Sequence, residues 1–156
     1  MIIILVAEKC NRIYNRAVNT DAHKERTNKM SAKVKESNLK NKIDIMRITT
    51  RDDAIPMKDV QNGTEIAMTA YVIEEVTKDR GADPSGEVFE CILVQDSNGA
   101  VYATRSETFI EKIRDIMDEL MEGEDYTLDL KAEPLMIRIT QQKSRSGNNF
   151  VSCSLA

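Results

Sequence analysis

Between Ser106 and Gly123 the apolar residues Phe109, Ile110, Ile113, Ile116, Met117 and Leu120 recur at helical spacing, with Ser106 suited to cap the start and Gly123 to end it. On both sides of this amphipathic stretch the pattern has a period of two. Residues 64–77, "TEIAMTAYVIEEVT", alternate apolar and polar types and are rich in β-branched residues, as a half-buried strand requires. "VFECILVQ" is apolar on both parities, "DSNGA" offers Asn98-Gly99 for a tight hairpin turn, and "AVYATR" is a short returning strand. After the helix, "YTLDLKA" and "LMIRITQQ" alternate again, and "FVSCSLA" closes the chain beyond the polar tip "KSRSGNN".

Three strands, one helix and a closing strand group exclude a parallel α/β sheet, which needs a helix between most strands. The order is that of a mainly β protein with one α-helix, an OB-fold Greek-key barrel of five to six strands whose helix plugs one end. "DIMRITT" and "IPMKDVQNG" are expected to supply a leading edge strand, and "KDRGADPSGE" a mobile loop.

Charge divides the chain. Residues 1–42 hold ten Lys/Arg against four acids, a net of +6, so the remainder carries −10 of the total −4. The first part is polar, lacks apolar periodicity and cannot offset its ordering entropy by burial. We expect a basic, disordered N-terminal extension over 1–42, either phosphate-seeking or a solvated linker, and an OB domain over 43–156; Met30 is an alternative start. The opening "MIIILVA" is too short for a signal peptide or a membrane span. Three cysteines at wide spacing and a single His23 support neither a disulfide framework nor a zinc site, and fit a reducing cytoplasm.

The chain has four Tyr, three Phe and no Trp, so the position of each aromatic matters. Side chains alternate across a strand. If Ile66, Met68, Ala70 and Val72 face inward, Tyr71 faces outward; Val101 and Ala103 inward leave Tyr102 outside. Ile137 and Ile139 leave Arg138 outside, and Val151, Cys153 and Leu155 leave Phe150 outside with Ser152 and Ser154. Aromatics on a sheet face, rimmed by cationic loops, suit single-stranded nucleic acid, because bases stack on rings whatever their identity. The candidate binding residues are therefore Tyr71, Tyr102, Arg138 and Phe150 on the sheet, Lys78 and Arg80 in "KDRG", and Lys143, Arg145 and Asn148 at the last tip.

An enzyme is disfavoured. No Ser-His-Asp or Cys-His set, no Gly-rich phosphate loop and no metal-ligand spacing occurs, and no cofactor is expected. The adjacent pairs Asp52-Asp53 and Glu74-Glu75 would point to opposite sides of an extended chain. A non-catalytic interaction module stays open as the alternative: Glu107, Glu111, Asp115, Asp118, Glu119 and Glu122 give the helix an acidic side that could bind a host factor or mimic DNA.

"IPMKDVQNGTEIAMTAYVI", "SNGAVYATRSETFIEKI" and "KSRSGNNFVSCSLA", spanning roughly residues 48–156, resemble the small single-stranded DNA-binding proteins of tailed bacteriophages of Gram-positive bacteria. The resemblance implies an OB fold, cooperative coating of exposed single-stranded DNA during phage DNA replication, and no catalysis. By that similarity Tyr71, Tyr102, Arg105 and Phe150 lie in or beside the groove, and Lys143 and Arg145 in its last loop. Replication proteins and further copies of the chain would be its other partners, with no membrane. Two features differ from cellular relatives: Trp is absent, and no Gly/Pro-rich linker with an acidic tip follows the last strand.

Overall fold

Asn41, Ser106 and the turn glycines set the limits of several elements in the computed structural model. It describes residues 30–80, 83–121 and 129–156, the side chains of 30, 31, 79, 80 and 83–86 excepted. The order is β1 (Met30–Ser37), α1 (Lys42–Thr49), β2 (Ile55–Pro56), a 3-10 turn (Met57–Asp59), β3 (Glu65–Arg80), β4 (Asp83–Asp96), β5 (Val101–Thr104), α2 (Glu107–Leu120), β6 (Leu135–Lys143) and β7 (Asn149–Leu155). The strands form one sheet in the order β2-β5-β4-β3-β6-β7, with β1 also on β3. The sheet curls into an OB-like half-barrel, and the fold is mainly β as the element order requires.

α2 plugs the concave side. Its Phe109, Ile110 and Ile113 meet Ile66, Met68 and Ile73 of β3, Ile92 and Val94 of β4, Ile137 and Ile139 of β6, and Val151 and Cys153 of β7 in the main core. Ser106 fixes where the helix begins: its Oγ accepts from Phe109 N and donates to the Val151 carbonyl, joining the cap to β7. Ser106→Ala should cost about 1 kcal/mol, the usual value of a lost cap, read as a lower urea midpoint with an unchanged slope. Burial pushes the Cys153 thiol up to about 11, so it stays protonated and packs as a small apolar residue.

A second, smaller core lies on the convex side. Ala70, Val72, Leu93, Val101 and Ala103 pack there against Ile48, with Leu39, Ile45 and Ala54 at the margin. This layer exists because residues 42–49 form a helix, whereas alternation in "DIMRITT" suggests an edge strand. Asn41 accepts a hydrogen bond from Ile43 N at 2.9 Å, and the Ile45/Ile48 spacing then directs one stripe onto the sheet. Only Ile55–Pro56 of the expected leading strand pairs, in parallel with Tyr102 and Ala103.

Two further expectations are corrected. Residues 30–42 are not a disordered extension: β1 pairs antiparallel with β3 from Met30↔Lys78 to Ser37↔Val72, and Asn41 and Lys42 begin α1. Residues 1–29 lie outside the described residues. "KDRGADPSGE" is chiefly strand, since β3 and β4 continue pairing to Arg80↔Asp83 and build, with β1, a three-stranded arm. In "YTLDLKA" the described part, 129–132, is a turn; the Asp129 carboxylate accepts from Lys131 N and Ala132 N while Leu130 is buried. Asx turns of this kind offer the backbone an alternative to pairing.

Candidate nucleic-acid interface

Tyr71 does not face outward. It is 8 % exposed and belongs to the main core beside Ile73, because β3 carries a bulge between Met68 and Ala70 that reverses the parity. Ile66 and Met68 point into the half-barrel before the bulge, and Tyr71 and Ile73 after it. Side chains from the β1–α1 connection hold the bulge. Asn38 accepts from Tyr71 N at 2.9 Å and donates to the Thr69 carbonyl at 3.2 Å, and Ser37 Oγ donates to the Tyr71 carbonyl at 2.8 Å. There β3 changes partner from β6 to β1, so these groups occupy the gap between two ladders. Burial raises the Tyr71 phenol above its ordinary value, helped by Glu36 and Asp118.

Tyr102 is corrected too. Val101 and Ala103 are buried beneath α1 on the convex side, which turns Tyr102, half-buried, against the main core. Its hydroxyl donates to Asp96, and burial followed by that carboxylate raises its pKa. Asp96 is at the same time the hinge of the β4–β5 turn, accepting from Asn98 N and Ala100 N at 2.9 Å.

Phe150 remains at the surface, half-buried on β7 opposite Gln142. It lines a groove of about 600 Å³ together with Lys58, Thr104, Arg105, Ser106, Glu107, Thr108, Asn149 and Val151. Three elements converge there. The 3-10 turn brings Lys58 and is tied to β6 by Gln141, whose Nε2 donates to the Lys58 carbonyl at 3.0 Å and to that of Val60. The β5–α2 junction brings Arg105, and β7 brings Phe150. Arg105 also stacks its guanidinium 3.7 Å above the Phe89 ring and reaches Glu87 at 3.8 Å, which holds it at the boundary between groove and arm. Lys58 and Phe89 escape a reading by strand alternation, because Lys58 sits on a 3-10 turn and Phe89 on a strand apolar on both sides.

The remaining candidates are spread out. Arg138 is solvent-exposed and pairs with Glu65 across the β3–β6 ladder at 2.6 Å. Lys143 ends β6, and Arg145 and Asn148 lie in the exposed β6–β7 turn, which Gly147 closes at φ 85° with Ser144 N donating to the Asn148 carbonyl at 2.8 Å. Lys78 lies on the arm opposite Glu87, and the Arg80 side chain is outside the described residues. Ser152 shares the parity of Phe150 but is buried, its Oγ without a hydrogen-bond partner; Leu155, expected inward, is 54 % exposed.

A family model described as phage single-stranded DNA-binding protein, of the Phi29 type, matches residues 24–156. The chain belongs to that family. No curated protein and no solved structure matches it. The match begins before β1, so the family's shared sequence includes the arm's third strand as well as the half-barrel. Among the described residues of this phage single-stranded DNA-binding family member, no group of three His, Cys, Asp or Glu could hold a metal ion, and no helix is long and apolar enough to cross a membrane.

Proposed function

We propose that the protein coats single-stranded DNA during phage replication in the host cytoplasm, without sequence preference and without catalysis or a cofactor. The groove between the 3-10 turn, the β5–α2 junction and β7 is where the strand runs. The observation that carries this reading is the meeting of one surface aromatic, Phe150, with two cations, Lys58 and Arg105, in that groove. A base stacks on Phe150, and the flanking phosphates lie against Lys58 and Arg105, a combination that tolerates any base because every base has a π-face. Lys143, Arg145 and Asn148 on the adjoining tip extend the path for the backbone. Tyr71 and Tyr102 take no part in stacking and act as packing residues of the main core.

Family membership supports the ligand class. The acidic side of α2 confines the polyanion to the groove. Fluorescence-anisotropy titration with labelled oligo-dT, its duplex and the matching RNA, at low and moderate salt, tests the reading. Salt-sensitive binding to the single DNA strand, much weaker to duplex, is expected. If no strand binds even at low salt, the reading fails, and the acidic side of α2 becomes the surface on which to seek a protein partner.

A further inference from the structure

The three-stranded arm has two outer edges of opposite charge. On one side β1 pairs with β3, and among the described residues no strand pairs with its other edge, which carries exposed Lys33 and, 40 % exposed, Val34. On the other side β4 pairs with β5 only over residues 92–95, so among the described residues no strand pairs with the outer edge of residues 83–91. That edge carries Glu87, Glu90 and Val88, the last 56 % exposed. Beside it opens a cleft of about 320 Å³, lined by Val88, Glu90, Ile110, Glu107, Glu111 and Arg114.

Open strand edges present unsatisfied backbone donors and acceptors and are templates for pairing. Charge decides which edges pair here. Two β1 edges would set Lys33 against Lys33, and two β4 edges would bring together two acidic clefts, in which Glu107 and Glu111 are exposed while Glu90 is paired with Lys35 and Arg114; both are unfavourable. β1 against β4 instead opposes lysine to glutamate and adds the two exposed valines to the buried surface.

We infer that β1 of one copy of this chain adds to the open β4 edge of a second copy, Lys33 entering the acidic cleft beside α2. The contact joins two different surfaces, so a pair of copies keeps one free edge of each kind, and repetition builds an open row rather than a closed dimer. On a DNA strand such a row places neighbouring copies side by side, which goes beyond the groove; of the residues that line the cleft and the groove, the two share Glu107 alone.

Sedimentation velocity of the full chain over a range of concentrations, free and on oligo-dT long enough for several copies, reads the contact. The wild type should gain mass with concentration, less at high salt. Lys33→Glu and Val88→Lys, both exposed substitutions, should each weaken association at least tenfold. Their equimolar mixture should associate again, because the intact β1 edge of one variant meets the intact β4 edge of the other, and at the opposite edges the introduced glutamate meets the introduced lysine. The inference is overturned if the wild type keeps the mass of one copy both free and on DNA, if either single variant associates like the wild type, or if the mixture stays dissociated. Affinity for an oligonucleotide that holds one copy, measured alongside, should be the same in all four samples and reports the groove separately.

Discussion

Replacing Phe150 with alanine is expected to weaken single-stranded DNA binding by about 10- to 100-fold while the protein stays folded. The ring is half-buried at the rim of the groove and stands outside the main core, so its removal creates no cavity among the fully buried side chains. Stacking on an aromatic contributes roughly 1–3 kcal/mol per base, which sets the size of the loss. Phe150→Tyr keeps the π-face and should bind within a few-fold of the wild type. Lys58→Ala gives a different signature: a smaller drop, with the slope of log affinity against log salt flatter by about 0.7 for the one lost phosphate contact. Anisotropy titrations at three salt concentrations separate the two effects, with far-UV circular dichroism as the folding control. Wild-type affinity in a folded Phe150→Ala protein would place the bases elsewhere, and the groove would lose its role.

The helix α2, the three strands before it and the two after Pro134 follow from period and punctuation alone, because each buries one face against a single core. The aromatic faces did not follow, for a reason visible at Thr69. One extra residue in β3 reverses every side chain after it, and the signal for that bulge lies in Ser37 and Asn38, more than thirty residues earlier and without a pattern of their own. Tyr102 escapes alternation for a second reason: α1 covers Val101 and Ala103 on the convex side while Tyr102 packs against the main core, so both faces of β5 are covered and alternation no longer tells inside from outside. β6 and the start of β7 keep one apolar and one polar parity, and there the positions of Arg138 and Phe150 are legible. Arg105 entered through family resemblance, since a residue at a strand–helix junction has no alternation to read.

The family resemblance and the surface chemistry bear on one another at the arm. Composition makes residues 30–42 look unfoldable because their lysines are as many as their apolar residues. In the structure those lysines face solvent or carboxylates: Lys35 lies 3.2 Å from Glu75 and 3.0 Å from Glu90, and Arg114 of α2 joins the same cluster at 2.8 Å from Glu90. A basic strand is stabilised here by an acidic neighbour rather than by its own burial, a long-range pairing that residue counts over a window cannot detect.

Stability should fall as pH rises from about 4.5 to about 7, by on the order of 3 kcal/mol, through one residue, Glu74. This carboxyl is 2 % exposed on β3, between Val34 of β1 and Cys91 of β4, with Val72 and Val76 on the same face; its Oε2 has no hydrogen-bond partner. Burial in that apolar setting pushes its pKa from 4.5 up to about 7. The folded form therefore holds its proton over a range in which the unfolded chain has released it. Its contribution is fully present below the unfolded value and is lost as pH passes the folded one. Glu90 acts in the opposite sense and in a lower range: burial raises its pKa, but Lys35 and Arg114 outweigh that and lower it, so its contribution is lost only as pH falls below the ordinary carboxylate value. Urea unfolding at pH 5, 6, 7 and 8 isolates Glu74. In Glu74→Gln, which keeps the shape and cannot ionise, the decline between pH 5 and 8 should vanish, and Glu74→Leu should exceed the wild type in stability at pH 8. A decline in Glu74→Gln as steep as in the wild type would assign the pH dependence to other groups and show that water reaches the carboxylate between β1 and β4.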